Sequence, residues 1–348
     1  MILLYGANGY TAQLIIQRAL EKGLKPVLAG RNAPLMQQLA QRYQLEHRVF
    51  TLDNPDETVK GLEGASIVLH AAGPFKFTSK PMLEACLKTK THYLDITGEI
   101  EVFEKCASYD RQAKDAGVMV LPGAGFDVVP SDCLAAHLKQ RLPDATQLQM
   151  AFAGLGGGLS RGTAKTSVEN LGRGGAVRKN GKIVVVPAAH KVMEIDYGAK
   201  KILSVCIPWG DVSTAWRSTG IPDIEIYMGA NPGMVRAMKL TNALGWLLRT
   251  KAVRDFLKRR IEKGAPGPSD SKRNKARSYF WGKATNAAGK SCVTIQETPE
   301  GYTLTAMTSV AIVQKILNGN FKTGYQTPSM AYGADFILET EGCVRKDL

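Results

Sequence analysis

The chain has 348 residues, of which 44% are hydrophobic and 22% charged, and its formal net charge is +14. These values lie near globular averages and argue against a disordered, collagen-like or membrane-bundle protein. At roughly 150 residues per domain, the length predicts about two domains with a sizeable core. No run approaches the roughly 20 apolar residues that span a bilayer.

The positive charge is concentrated in the middle of the chain. Residues 1–150 carry 16 basic and 16 acidic side chains, whereas residues 249–290 carry 13 basic and 3 acidic ones. A basic segment can bind nucleic acid, an anionic lipid or an acidic partner, or it can be a solvated surface. Because no helix-turn-helix, RNA-binding or zinc-finger signature accompanies the charge, we expect no nucleic-acid partner.

The cysteines and histidines give no metal or disulfide signature. The six cysteines share no spacing and form no C-x-x-C pair, which favours a reducing compartment. The five histidines form no H-x-x-H or H-E-x-x-H motif, so no metal site is predicted. The apolar run Met1–Tyr5 is too short for a signal-peptide core. We therefore expect a cytoplasmic protein.

Residues 1–143 alternate short apolar runs with amphipathic stretches, the pattern of βα units. Strands are predicted at 1–5, 25–29, 48–51, 66–70, 91–95 and 118–121, and helices at 11–22, 33–43, 79–88 and 100–116. The predicted fold class is therefore α/β, with a Rossmann-like doubly wound parallel sheet.

Residues 144–323 predict a second, α+β domain for substrate binding or dimerisation, and the tail 324–348 is expected to return to the first domain. Its predicted strands are 147–153, 182–186, 201–208, 212–219, 223–228, 276–285, 291–298 and 302–306. Helices are predicted at 232–263 and 309–318, with a solvated loop at 264–275 between them. The glycine-rich stretch 154–158 is interpreted as a substrate-side lid.

A phosphate-binding turn is predicted where the first strand meets the first helix. The residues that we assign to it are Gly6, Ala7, Asn8, Gly9, Tyr10 and Thr11. Gly6 permits a tight turn, Gly9 lets the backbone approach a pyrophosphate, and Ala12 lets helix and strand pack closely. The helix N-terminus offers N–H groups and a favourable dipole to phosphates. The alternative is a glycine turn without a ligand.

The end of the second strand indicates which dinucleotide is bound. An acidic residue about 20 positions past the glycines would accept the ribose 2′-hydroxyl of NAD. Here the strand ends in Gly30-Arg31, and a guanidinium can hold a 2′-phosphate with two hydrogen bonds. We therefore predict NADP(H) as the cofactor. The alternative is that Arg31 is simply exposed at a helix start.

Several motifs together resemble a known family. They are GANGYTA at 6–12, LAGR at 28–31, HAAGPF at 70–75, THYLDITGE at 91–99 and GFDVVPSD at 125–132. In this order and spacing, the chain is similar to the saccharopine dehydrogenase-like oxidoreductases, a group that includes the trans-acting enoyl reductases of lipid biosynthesis. The resemblance covers residues 1 to about 140, and weaker similarity continues at 160–167 and 324–329. Ala12 departs from the family, which usually has a third glycine there.

The resemblance implies further cofactor contacts. The first two motifs would hold the dinucleotide phosphates and the 2′-phosphate, and Ala72-Gly73-Pro74-Phe75 would lie under the nicotinamide. A loop at the carboxyl end of a parallel strand does lie at the ligand crevice of such folds. The alternative is an ordinary βα turn in which Phe75 belongs to the core.

Three carboxylates are the candidates for proton transfer. Asp95 and Glu99 follow the fifth strand and Asp127 follows the sixth, again at the crevice end. Hydride transfer also needs a group that gives or takes a proton or polarises the acceptor. Structural, substrate-binding and proton-transfer roles all stay open, so the catalytic residue is unassigned. Ser131 and Asp132 are interpreted as helix caps.

The segment 232–263 reads as one basic amphipathic helix. It can pack on its own domain or in a homodimer, or it can lie on an anionic membrane surface and give a peripheral membrane association.

The sequence thus predicts an NADP(H)-dependent oxidoreductase that reduces a C=C, C=O or C=N bond of an apolar or lipid-like small molecule. The alternative is a non-catalytic NADP(H)-binding protein whose basic helix attaches to a membrane or partner. A true saccharopine dehydrogenase fits less well, because the second domain shows no recognisable clamp for an amino-acid carboxylate.

Overall fold

In the computed structural model of the protein, the described residues are 1–155 and 158–348. Contacts between α-carbons divide the chain into two compact units. Unit 1 consists of residues 1–129 and 302–331, and unit 2 of residues 130–301 and 332–348. Residues 156 and 157 of the predicted lid lie outside the described residues. No helix in the described parts of the chain is long and apolar enough to cross a membrane.

Unit 1 is an α/β domain, with elements numbered here along the whole chain. Its strands are β1 Ile2–Tyr5, β2 Val27–Gly30, β3 His47–Val49, β4 Ile67–His70, β5 His92–Asp95, β6 Met119–Leu121 and β15 Gly324–Tyr325. Its helices are α1 Tyr10–Glu21, α2 Ala33–Tyr43, α3 Pro55–Gly61, α4 Phe75–Thr89, α5 Ile100–Ala107, α6 Asp110–Ala116, α13 Gly301–Leu317 and α14 Pro328–Tyr332.

The sheet of unit 1 has the order β15-β6-β5-β4-β1-β2-β3, and every neighbouring pair is parallel. The order reverses between β1 and β4, which is the switch point of a doubly wound fold, where ligands bind outside the carboxyl ends of the strands. Strands β1, β4 and β6 are almost entirely buried and, apart from His70 at the end of β4, apolar, as expected for a sheet covered on both faces. The predicted fold class is confirmed.

Unit 2 is built on a mixed sheet. Its strands are β7 Ala145–Leu155, β8 Gly175–Lys179, β9 Lys182–Val186, β10 Val192–Asp196, β11 Lys201–Cys206, β12 Asp223–Gly229, β13 Arg277–Asn286, β14 Ser291–Pro299 and β16 Val344–Asp347. Its helices are α7 Val129–Arg141, α8 Arg161–Asn170, α9 Asp211–Thr219, α10 Pro232–Leu248, α11 Lys251–Glu262 and α12 Asp270–Lys275, with a 3₁₀ turn at Phe336–Glu339. The order is β10-β11-β12-β7-β13-β14-β16, with β8 and β9 attached through β12.

Two predicted strands are helices. The segment 212–219 belongs to α9, which ends at Gly220 with a positive φ of 70° and buries Val212 and Ala215. The segment 302–306 is the first part of α13. Both runs are rich in β-branched or aromatic residues, which favour strands locally, but packing on neighbouring elements outweighs that preference.

Two other predicted boundaries also change. The single helix predicted at 232–263 is interrupted after Leu248, and α11 begins at Lys251. The predicted loop 264–275 contains the short helix α12.

The limits of the two units differ from the predicted boundary at residue 143. Unit 2 begins at residue 130 because α7 packs on the second sheet, where Leu134 and Leu138 lie against Gly282. Residues 302–331 return to unit 1, whereas 332–348 stay with unit 2, where β16 pairs with β14.

Candidate functional site in unit 1

The turn between β1 and α1 is held by backbone contacts that only glycine permits. Gly6 has a φ of +84°, and a Cβ there would lie 2.8 Å from the Cβ of Ala72. The N–H groups of Gly6 and Ala7 both donate to the Ala29 carbonyl, at 2.8 and 3.1 Å. The turn is thereby fixed to β2 and lies directly against the loop that follows β4.

The N-terminus of α1 faces this turn without a side-chain cap among the described residues. Gly9 is the N-cap residue, and its own N–H donates to the Gly6 carbonyl at 2.9 Å. Asn8 is exposed, and Tyr10 and Thr11 are half-buried. An uncapped helix start of this kind suits an anion, because the helix dipole and the backbone N–H groups point at it.

Arg31 lies exposed just past the end of β2. It forms no ion pair within the part of the chain that the structure describes, and the next residue, Asn32, caps α2 by accepting from the Leu35 N–H at 3.0 Å. Burial raises the pKa of the Tyr5 hydroxyl to about 12, and the positive charge of the nearby Arg31 opposes that rise. A 2′-phosphate at this edge would meet an available guanidinium.

The loop Ala72-Gly73-Pro74 precedes α4 and contains a cis Gly73–Pro74 peptide. Phe75 is only 8% exposed and packs edge-on against His70, with ring centroids 5.4 Å apart. The Thr78 hydroxyl donates to the Ala72 carbonyl at 2.7 Å and lies 2.9 Å from Nε2 of His70. Phe75 is therefore a core residue, and the residues before it form the surface of the loop.

Glu99 caps helix α4. Its Oε1 accepts from the Phe75 N–H at 2.9 Å and its Oε2 from the Lys76 N–H at 3.1 Å. Burial raises the pKa of Glu99, and the two backbone N–H groups oppose that rise. Because both carboxylate oxygens are engaged at a helix N-terminus, this residue stabilises the loop instead of standing free to exchange protons.

Asp95 is fully buried and connects two loops. Its Oδ2 accepts from the Tyr93 hydroxyl at 2.6 Å, and its Oδ1 accepts from the N–H groups of Thr97 and Gly123 at 3.0 and 2.9 Å. Burial raises its pKa to about 6, against the effect of these hydrogen bonds. The geometry favours a structural role.

We expect Asp95→Ala to lower the free energy of unfolding by about 3 kcal/mol or more, because buried donors lose their acceptor. The folded-state pKa of about 6 lies above the unfolded value of about 3.9, so the fold is favoured while Asp95 is protonated. That contribution is complete below the unfolded pKa and is lost as pH rises through about 6. Urea titrations of the wild type and Asp95→Asn from acid to neutral pH measure this; an identical pH slope in both would contradict it.

Asp127 differs from the other two carboxylates. It lies in the loop after β6 and is half-buried, and its Oδ2 would be only 2.6 Å from a Cβ placed on Gly98. Burial is the main cause that raises its pKa to about 7, and the charge of Glu99 adds to it. A carboxyl pKa raised in this way marks a candidate functional group.

Sequence reasoning missed the contribution of α13 to this site. The Tyr302 ring meets the Tyr10 ring edge-on at a centroid distance of 5.1 Å. Thr305 Oγ1 accepts from the Phe126 N–H at 3.0 Å, and a Cβ on Gly125 would lie 2.6 Å from its Cγ2. No local signal could have shown this, since these partners are more than 170 residues apart in the chain.

Ser131 and Asp132 lie inside the first turns of α7 and not before it, so the cap interpretation is wrong for their positions. The Ser131 hydroxyl donates to Asp211 Oδ2 at 2.8 Å, a buried contact within unit 2.

The first unit matches a family model. Residues 2–121 match the model described as the saccharopine dehydrogenase NADP binding domain. The match covers about a third of the chain and confirms the predicted resemblance and the predicted NADP cofactor.

Curated relatives are similar over the same region. A saccharopine dehydrogenase-like oxidoreductase of Mus musculus is 24% identical over 203 residues, which cover 51% of this chain and 47% of the mouse protein. A trans-acting enoyl reductase of Mycobacterium ulcerans is 30% identical over 150 residues, 40% of this chain and 35% of that protein. A lipid droplet localized protein of Caenorhabditis elegans is 26% identical over 153 residues, 40% and 36% of the two chains. The aligned stretch thus spans less than half the length of each relative.

One solved structure resembles the fold of this protein over the whole length of the chain. Apo saccharopine dehydrogenase (L-Glu forming) from Saccharomyces cerevisiae has a TM-score of 0.68 and covers 100% of this chain and 99% of its own, at 14% identity. At that identity the likeness concerns the fold.

Proposed function

We propose that this chain, whose residues 2–121 match the saccharopine dehydrogenase NADP binding domain, is an NADP(H)-dependent oxidoreductase. It would reduce a C=C, C=O or C=N bond of an apolar or lipid-like small molecule. The observation that carries the proposal is the position of Asp127, a half-buried carboxyl group with a pKa of about 7 beside Gly98 and Glu99 at the carboxyl edge of the sheet.

The residues of unit 1 fit a dinucleotide. In the proposal, the phosphates bind against the turn at 6–11 and the N-terminus of α1, and Arg31 binds the 2′-phosphate. The N–H groups of Gly6, Ala7 and Gly9 hold the turn itself, so the start of α1 supplies the donors to the phosphates. The loop Ala72-Gly73-Pro74 would flank the nicotinamide. The proposed set also includes Gly30, which directly precedes Arg31; a Cβ there would lie 3.1 Å from the Sδ of the core residue Met36. When bound, NADPH supplies a hydride, which becomes one of the two hydrogens that the acceptor gains.

Asp127 supplies the other hydrogen. Its carboxyl group donates a proton to the atom next to the carbon that accepts the hydride, so that the double bond becomes a single bond and NADP⁺ and the Asp127 carboxylate remain. A pKa of about 7 keeps a large part of this group protonated at neutral pH. Asp95 and Glu99 are assigned structural roles, because Asp95 ties Thr97 to Gly123 and Glu99 caps α4.

An apolar substrate is supported by the relatives. One is named a trans-acting enoyl reductase and another a lipid droplet localized protein. An enoyl reductase acts on a C=C bond, which is one of the three bond types in the proposal. We further propose that the protein is cytoplasmic and forms a homodimer. In the same proposal, residues 232–263 contact a membrane surface.

Spectrophotometric assays test the oxidoreductase. NADPH oxidation is followed at its absorbance band with panels of enoyl thioesters, fatty aldehydes and cyclic imines, and NADH serves as the control cofactor. We expect acceptor-dependent oxidation of NADPH with at least one apolar class. Tight NADPH binding without turnover on any panel would favour the second candidate, a non-catalytic NADP(H)-binding protein, which the basic segment 249–290 supports.

A further inference from the structure

Helix α10 packs on unit 2 along one side only. Val235 and Gly245 are its buried residues. Gly245 lies against Gly172, since a Cβ on Gly172 would be 3.0 Å from the Gly245 carbonyl oxygen. The Asn242 side chain accepts from the Ala188 N–H at 2.7 Å and donates to the Ala188 carbonyl at 3.0 Å. These contacts fix which face of the helix points outward.

The outward side of α10 carries a stripe of apolar residues. Leu240, Leu244 and Leu247 are spaced by four and three residues, which places them in one stripe opposite the packed side. They are 59%, 37% and 40% exposed, and Trp246, at the edge of this face, is 69% exposed. An ordinary surface helix carries polar residues there. Moreover, residues 232–248 contain no Asp or Glu.

Helix α11 continues this surface with cations. It has no buried residue, and Phe256 is 58% exposed. Its inward cations are paired: Lys258 and Arg254 both face Glu169 of α8.

Three other cations of α11 are exposed and have no ion pair within the described ranges: Lys251, Arg259 and Arg260. The adjoining helix α10 adds exposed Arg236 and Lys239. Positive charge therefore accompanies the exposed apolar side chains.

We infer that α10 and α11 form a docking surface for an anionic lipid membrane, in which the leucine stripe and Trp246 enter the interface and the cations meet the headgroups. This inference deepens the proposed membrane contact of 232–263 and rests on it. Apolar and aromatic side chains flanked by Lys and Arg are the composition of helices that lie in a membrane interface. Helix α10 has no acidic residue, and α11 has two, Asp255 and Glu262, of which Glu262 pairs with Lys165 of α8. The apolar residues stand out from an exposed helix face, which suits a fluid lipid surface.

Vesicle flotation with the full chain tests the inference. We expect binding to vesicles of phosphatidylcholine mixed with phosphatidylglycerol, little binding to phosphatidylcholine alone, and release by salt, because surface charges are screened. Absence of binding to the anionic vesicles would overturn it. So would a dimer formed through these helices and disrupted by the same substitutions, which would make the surface an interface between two copies.

Substitutions separate the two parts of the surface. Leu240→Asp with Leu244→Asp should abolish flotation, whereas Val185→Asp, at a 75% exposed position of the same unit outside α10 and α11, should not. Replacing Lys251, Arg259 and Arg260 together by Glu should weaken binding by about 100-fold or more, since each cation near an anionic surface contributes about fivefold. The matched control replaces by Glu three lysines that are exposed elsewhere on unit 2, Lys179, Lys200 and Lys290, and should leave binding largely intact.

Trp246 reports insertion directly. We expect a blue shift of tryptophan fluorescence on adding anionic vesicles, and its loss in Trp246→Phe. A shift that persists in Trp246→Phe would contradict the proposed orientation. NADPH affinity is measured on every variant and should be unchanged, so that failure of membrane docking can be told apart from failure of the proposed reductase.

Discussion

Replacing Asp127 by Asn is expected to lower kcat for NADPH-dependent reduction by about 10²–10⁴-fold, the usual contribution of a general acid. The amide keeps the shape of the side chain against Gly98 but cannot donate a carboxylic proton. NADPH affinity and the urea midpoint should stay close to those of the wild type. Asp115→Asn, at an exposed carboxylate of the same unit, is the matched control. Unaltered turnover in Asp127→Asn would remove this residue from the chemistry.

The pH profile gives a second measure of the same group. Because the acid must be protonated, kcat should be level below the pKa of about 7 and fall about tenfold per pH unit above it. Burial and the neighbouring Glu99 charge raise that pKa, so Glu99→Gln should shift the break to lower pH. A rate that rises through neutral pH would instead indicate a general base.

The second large effect concerns Arg31. We expect Arg31→Ala to weaken NADPH binding by about 10–150-fold, the equivalent of about 1.5–3 kcal/mol for hydrogen bonds to a charged group. NADH binding should change little, because NADH has no 2′-phosphate for the guanidinium to hold. Fluorescence titration with both cofactors measures the ratio.

Two further variants test this assignment. Arg31→Lys keeps the charge but loses the two-pronged geometry, and should fall between wild type and Arg31→Ala. Arg42→Ala, an exposed arginine of the same α2 region, should leave both affinities unchanged. An equal loss of NADPH and NADH affinity in Arg31→Ala would mean that the substitution disturbs the end of β2 instead.

Local sequence was sufficient for the parts of unit 1 that depend on neighbours along the chain. Apolar runs of four residues separated by helical periods predict buried parallel strands, and Gly6 predicts a turn because only glycine readily adopts a φ of +84° there. The assignment of Arg31 to the 2′-phosphate follows from its place at the end of β2, about 20 residues past the glycine turn. Strand propensity gave the wrong prediction at 212–219 and 302–306, where β-branched residues lie in helices that bury them against distant elements.

The sequence by itself thus determined the fold class and the glycine turn, since these depend on short-range periodicity and backbone freedom, and its motifs were sufficient to show the resemblance of residues 2–121 to the NADP binding domain. Only the tertiary structure distinguished the three carboxylates: Glu99 caps α4, Asp95 accepts from three donors, and burial raises the pKa of Asp127 to about 7. It also brought α13 to Tyr10 and exposed the leucine stripe of α10. The reason is physical: burial, charge environment and contact partners are set by residues far away in the chain, and no local pattern contains them.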